Sequence, residues 1–175
     1  MDVRNAIESR YSCRAYRSDD VDDSLIRDCL ECALLAPSAC NKQPWKFYVT
    51  KGELKNAVAG YTQLFGANGF TDKAPVLIVV TAKPSLTDKA ADKIKDQDFS
   101  ANDLGFAIGS LCLRATELGL GTCIIGWLQA TKIAKLLPLG SGEKVRLIVA
   151  LGYPADGPRP KKRKPFAEKA VFLDK

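Results

Sequence analysis

A single domain that mixes helices with strands is what this sequence predicts, and three observations predict it. Apolar residues recur at three- and four-residue intervals across 25–34 and 104–118, the period of amphipathic helices. Apolar, β-branched runs at 76–81 and 145–151 are instead the mark of buried strands. The length, 175 residues without an internal repeat, suits one domain spanning 1–175, or a domain that completes itself by dimerising. An apolar fraction of 46% against 26% charged residues excludes wholesale disorder. No run approaches the ~18–20 apolar residues that span a bilayer. The start, with Asp2, Arg4 and Glu8, lacks the apolar core of a secretory signal, so the expected location is cytoplasmic, with no membrane partner.

The elements follow in order. Val3, Ala6 and Ile7 predict a short helix over 2–9. Residues 10–14 should then be extended, which puts Arg10, Ser12 and Arg14 on one side, because alternate residues of a strand share a face. Two guanidinium groups and a hydroxyl converging this way suit one phosphate. Asp22, Asp23 and Ser24 cap the next helix, whose apolar stripe runs from Leu25 to Leu34 and which Pro37 ends. A polar turn carrying Ser38, Asn41 and Gln43 leads to a strand at 45–49 with Trp45 at its head. A short helix at 51–60, a glycine-rich loop at 60–72 and the buried strand at 76–81 come next, followed by a charged, exposed segment at 83–98. The helix over 100–118 should be long and largely buried, with Gly105 and Gly109 on one face, open to close approach by another backbone. Glycines then punctuate a short apolar strand within 119–127, a pattern that fits a backbone passing close to a ligand. A helix at 129–137 stopped by Pro138, a strand at 145–151 and a Pro- and Lys-rich tail from 157 complete the chain.

The formal charge of +6 is concentrated: Arg159, Lys161, Lys162, Arg163 and Lys164 put five positive charges within 159–164. Such a cluster serves a local phosphate site, a merely solvated tail or a nucleic-acid contact equally well in isolation. The lack of histidine excludes a mixed Cys/His zinc site and any imidazole base, and no metal site is expected. Of the six cysteines, Cys29 and Cys32 fall inside a helical pattern with no second pair at zinc spacing, so they read as buried thiols.

Four segments taken together carry a resemblance. Arg10-Tyr11-Ser12-Cys13-Arg14, Pro37-Ser38-Ala39-Cys40-Asn41-Lys42-Gln43-Pro44-Trp45, the glycine-flanked strand at 119–127 and Lys161-Lys162-Arg163-Lys164 stand in the order found in the nitroreductase family of FMN-dependent NAD(P)H oxidoreductases. The resemblance implies an α+β fold, a central antiparallel sheet flanked by helices, in an intertwined homodimer that shares two active sites. It implies that Arg10, Tyr11, Ser12, Arg14, Lys161 and Arg163 hold the FMN phosphate, with Lys162 and Lys164 facing solvent. Pro37, Ser38, Ala39, Asn41 and Gln43 would address the flavin ring edge, partly across the subunit boundary, and Asn68 its pyrimidine side. Backbone N–H groups of Ile125 and Gly126 would face flavin N5, although Ile125 stands where well-studied members carry glutamate. The helix at 100–118 would form the dimer core, and the arm 157–175 would wrap the partner through Phe166, Val171 and Phe172. Cys13 and Cys40 fall within the implied cofactor segments.

The chemistry so implied belongs to FMN, without a catalytic side chain of the protein: NAD(P)H delivers hydride and leaves, and a small-molecule acceptor such as a nitroaromatic or quinone then takes the electrons. The fingerprint Gly-x-Gly-x-x-Gly is missing, so NAD(P)H would visit only transiently. A flavin-binding redox sensor without significant turnover and a basic-tail nucleic-acid binder are the alternatives. The latter is disfavoured by sparse aromatics near the tail, and no nucleic-acid partner is expected.

Overall fold

The computed structural model describes residues 1–83, 98–158 and 160–173. The predicted charged segment at 83–98 therefore lies almost wholly outside the described residues, as does Arg159.

Four antiparallel strands form one sheet in the order β1-β2-β4-β3, where β1 is Trp45–Thr50, β2 Val76–Ala82, β3 Gly121–Ile125 and β4 Lys144–Gly152. The two richest apolar runs of the sequence become the two central strands, since only a strand covered on both faces can be apolar at every position. Every residue of β2 is buried. Alternation along these strands sorts their side chains between two cores. Ile78, Val80, Ala82, Val149 and Leu151 face a layer made by helices α2 (Asp23–Leu34) and α4 (Phe99–Glu117). Leu77, Val79, Val145, Ile148 and Ala150 face a thinner layer that includes α3 (Gly52–Gly60) and α5 (Ala130–Ala134).

Helices α2 and α4 pack through Ile26, Cys29 and Ala33 against Leu104, Ala107, Ile108, Leu111, Cys112 and Ala115, all of one buried cluster. Burying a side chain the size of Leu111 contributes about 2 kcal/mol relative to leaving it in water. A forked ion pair fastens the same helices, with Arg114 Nε donating to Asp28 Oδ1 at 2.9 Å and Nη2 to Oδ2 at 2.5 Å. Three helix starts carry an aspartate cap: Asp2 accepts from Asn5 N in α1 (Val3–Ser9), Asp22 from Ser24 N in α2 and Asp98 from Ala101 N in α4. Cys29, Cys112 and Cys123 are buried free thiols, and burial raises all three above the ordinary thiol range, with Cys29 at about 12.

Two local expectations need correction, and a third is left open within one chain. The helix expected at 129–137 spans only Ala130–Ala134, because Leu136 N and Leu137 N close tight turns on Ile133 and Ala134 before Pro138. The loop at 60–72 contains two 3₁₀ turns, Leu64–Gly66 and Gly69–Asp72, with Phe65 and Asn68 in the left-handed region. Gly105 and Gly109 meet no backbone within the chain: a Cβ built on either finds nothing within 4 Å, so their face of α4 is open. The close approaches are elsewhere. A Cβ at Gly121 would lie 2.8 Å from Cys13, and one at Gly152 would lie 2.5 Å from Pro75.

Candidate functional site

The two ends of the chain meet in one pocket. After α1 the backbone turns at Arg10 and runs beside β3: Ser12 bridges Thr122 in parallel, and Cys13 N donates to Thr122 O at 2.9 Å. Glycine is needed at 121 because buried Cys13 fills the place of its side chain. The chain after β4 lies along the same segment, with Arg17 N donating to Tyr153 O and Ala155 N to Ala15 O. Tyr11 Oη completes the junction by donating to Asp156 O at 2.7 Å. Burial, with Cys13 and Asp156 nearby, pushes the Tyr11 phenol up to about 12, so it stays a protonated donor.

Between these segments opens a cleft of about 240 Å³ lined by Arg10, Tyr11, Ser12, Arg14, Asp156, Pro160, Lys161, Lys162 and Arg163. Five cations thus face one carboxylate. No carboxylate pairs with Arg10 or Arg14 among the described residues; Arg14 Nη1 reaches only Ser12 O, at 3.3 Å. Lys161 Nζ donates to Ile7 O and Glu8 O, both at 2.6 Å. Burial and the charges of Arg10 and Arg163 lower its pKa, against the raising effect of Glu8. A cleft with this excess of fixed donors and positive charge is built to receive an anion with several oxygens. Lys162, expected to face solvent, is exposed and also stands in the lining. The arm passes the pocket in an irregular path, with Arg163 Nη1 folded onto Lys162 O at 2.9 Å, so strict alternation does not hold. Lys164 stays outside the lining and lies 3.9 Å from Glu168.

The polar turn is a separate place. Cys40, Asn41 and Gln43 all have positive φ, and the turn's own side chains hold that shape. Gln43 N donates to Ser38 Oγ at 2.9 Å, and Gln43 Nε2 donates to Asn41 O and Oδ1 at 3.2 and 3.0 Å. Ala39 N donates to Asp103 Oδ1 at 3.1 Å, which ties the turn to the first part of α4. Trp45 is a buried member of the α2–α4 core. The charge of Arg10 is felt instead at Cys112, nine residues further along that helix, or about 13 Å at 1.5 Å per residue. None of Pro37, Ser38, Ala39, Asn41 or Gln43 lines the basic pocket of its own chain.

The third predicted group gathers at the far end of β3. Asn68, at φ 56°, donates through Nδ2 to Thr62 O at 3.1 Å and to Trp127 O at 3.3 Å, stapling its loop to the residue after Gly126. Buried Thr62 and Thr71, hydroxyl to hydroxyl at 3.0 Å, brace that loop from within. The Ile125 side chain is in the core, so only its backbone can face a ligand; Gly126 is exposed. From Thr122, beside the basic pocket, to Gly126 the strand covers about 13 Å. Ile124 is half exposed between them and joins Gly105, Gly109, Leu104, Ile108 and Arg146 in lining a shallow groove on α4 and the sheet edge.

Sequence reasoning missed Asp103, Asp156 and Ile124. Asp103 carried a signal, a carboxylate beside Leu104 in an apolar stripe that buries it to 5% exposure. Nothing local distinguishes Asp156.

The chain matches the family model described as the nitroreductase family over residues 7–64 and 55–153. It is 30% identical over 200 aligned residues to a protein named NADH dehydrogenase from Thermus thermophilus, covering 95% of this chain and 93% of that one. It is 25% identical over 202 residues to the oxygen-insensitive NADPH nitroreductase of Helicobacter acinonychis, covering 97% and 96%. Among solved structures, a BluB-like flavoprotein from Clostridium difficile 630 superposes with a TM-score of 0.80 at 26% identity, covering 99% of this chain and all of that one.

Proposed function

The chain belongs to the nitroreductase family and is an NAD(P)H-dependent oxidoreductase; on that premise we propose that it works with bound FMN and reduces small acceptors such as nitroaromatics or quinones. The observation that carries the reading is the basic pocket, in which cations some 150 positions apart in the chain surround one cleft and, among the described residues, no carboxylate pairs with its two amino-terminal arginines. A phosphate monoester fits that donor set. When bound, FMN would supply the two-electron relay between nicotinamide and acceptor.

The chain's own residues bind and orient. Arg10, Ser12, Arg14, Lys162 and Arg163 would hold the phosphate with Lys161 beside them, and Tyr11 would keep their two backbones in register through Asp156. The run of β3 from Thr122 to Gly126 would lay the rest of the cofactor along the sheet edge, with its ring near the Ile125 and Gly126 backbone and the loop stapled by Asn68. A likeness to a flavoprotein across the whole chain supports this placement.

One chain leaves the ring end unfinished. The turn with Pro37, Ser38, Ala39, Asn41 and Gln43 is remote from its own basic pocket, while the glycine face of α4 is open and Phe166, Val171 and Phe172 of the arm stand exposed. A homodimer resolves all three: the second copy packs on α4, brings its turn to the ring edge and receives the arm 157–175. No histidine supplies protons, so they would come from water or the acceptor.

Purified protein should be yellow, bleach anaerobically with NADH or NADPH and recover its colour when a nitroaromatic or quinone is added. Colourless protein that takes up no added FMN overturns the reading. Flavin that is bound but not bleached marks a redox sensor instead. Affinity for nucleic acid that falls steeply with salt and disappears on deleting 159–164 marks a nucleic-acid binder.

A further inference from the structure

Residues 160–173 make few bonds to the body of their own chain. Among the described residues, their hydrogen bonds to residues 1–158 are two, and both come from one atom, Lys161 Nζ. The remaining polar contacts of the arm are internal: Arg163 to Lys162 O, Lys164 to Glu168, and the 3₁₀ turn Phe166–Glu168. Its ring contact, Phe166 with Phe172 at 6.2 Å, is internal as well.

The acceptors of those two bonds are unusual in what they need. The last carbonyls of any helix have no partner inside it. In α1, Arg10 N already closes on Ala6 O at 2.9 Å, which leaves the carbonyls of Ile7 and Glu8 pointing out of the helix end. An ammonium suits them by charge and by geometry, since it carries three donors and the helix end is its negative pole. Two N–H bonds at 2.6 Å use two of those donors and leave one for the pocket that Lys161 also lines.

We propose that Lys161 is the latch of the carboxy-terminal arm, a positioning residue that grips the carbonyl end of α1 and so holds Lys162 and Arg163 opposite Arg10 and Arg14 before any anion arrives. The ligand here is the FMN phosphate of the proposed function, and in that respect the inference rests on that reading; the latch itself concerns only the protein. It assigns different work to neighbouring cations. Lys161 commits two of its three donors to the backbone of α1 and keeps one for the pocket, whose lining it shares with Lys162 and Arg163. It also makes the pocket preorganised, so that the ligand need not pay the ordering entropy of the arm.

The test is ¹⁵N relaxation of the flavin-free protein, with FMN titration alongside. In the wild type, residues 160–163 should show order parameters near the rigid-backbone value of about 0.85, and in Lys161→Met they should fall below about 0.6. Lys161→Arg, which keeps the charge and the donors, should restore much of the order. Arg163→Gln should leave the arm ordered while weakening FMN binding roughly tenfold, the loss of one charged hydrogen-bond partner. Lys161→Met should weaken it by at least as much. Order parameters in flavin-free Lys161→Met equal to wild type would overturn the latch, whatever happens to FMN affinity. A protein that binds no FMN but loses arm order in Lys161→Met would overturn the flavin reading and leave the latch standing.

Discussion

The basic pocket and the polar turn are both rich in hydrogen-bonding side chains, yet they differ in how those groups are spent. In the turn, Ser38, Asn41 and Gln43 bond one another's backbone and side chains, and Asp103 takes the Ala39 N–H. In the pocket, no carboxylate among the described residues pairs with Arg10 or Arg14, and Lys162 stands in the same lining. The turn is therefore a shape held by its own polar groups, and the pocket is an accumulation of like charge that the fold tolerates at a cost. The comparison teaches that unspent donors point to a ligand more directly than does a polar sequence motif.

The largest way to break the contrast is to remove the unspent charge. Arg10→Met combined with Arg163→Met should lower FMN affinity by roughly 100-fold or more, since each charged hydrogen bond contributes about 1.5–3 kcal/mol. Folding should change little, because neither residue is buried; titration calorimetry beside a thermal melt separates the two effects. Equal affinity in the double variant would remove the pocket from the site.

A second change tests whether the turn is completed by another copy. Gly109→Glu places a charge on the open face of α4, where a Cβ meets nothing within 4 Å. The chain should stay folded, and slightly stabilised if anything, as helix glycines cost up to about 1 kcal/mol. Its mass by light scattering should drop from that of a dimer to that of one chain, with loss of bound flavin. A wild-type protein already at 19.0 kDa would refute the shared site.

A smaller effect should follow from freeing the turn. Asp103→Ala leaves the Ala39 N–H without its acceptor, at about 1–3 kcal/mol of stability. Denaturant titration should show the lower midpoint, and flavin affinity should fall less than in the double arginine variant.

The smallest effect is in pH. Burial, Arg10 and Arg163 lower Lys161 below an ordinary lysine, with Glu8 opposing. Below that depressed value the ammonium is fully charged and pH has no influence through it. As pH rises through it, the charge is lost earlier than from a free lysine. FMN affinity should therefore begin to fall at a pH where Lys161→Arg shows no change, a difference that fluorescence titration on the alkaline side, below the ordinary lysine range, can resolve.

The sequence by itself determined the elements. Helical spacing marked α2 and α4, Asp22 foretold its cap, and unbroken apolar runs singled out β2 and β4 as the covered strands. These signals are legible because they depend on neighbours within a few residues. They also brought Arg10, Arg14 and Arg163 under suspicion, though only through the order of whole segments. That both ends of the chain meet was expected only from the resemblance; tertiary structure alone decided that they line one cleft within a single chain and that Lys161 bonds the end of helix α1. It alone separated the turn from that cleft by about half the length of α4. The physical reason is that a cation's partner is whatever the folded backbone places beside it, and charge in a sequence carries no record of what lies across 150 residues.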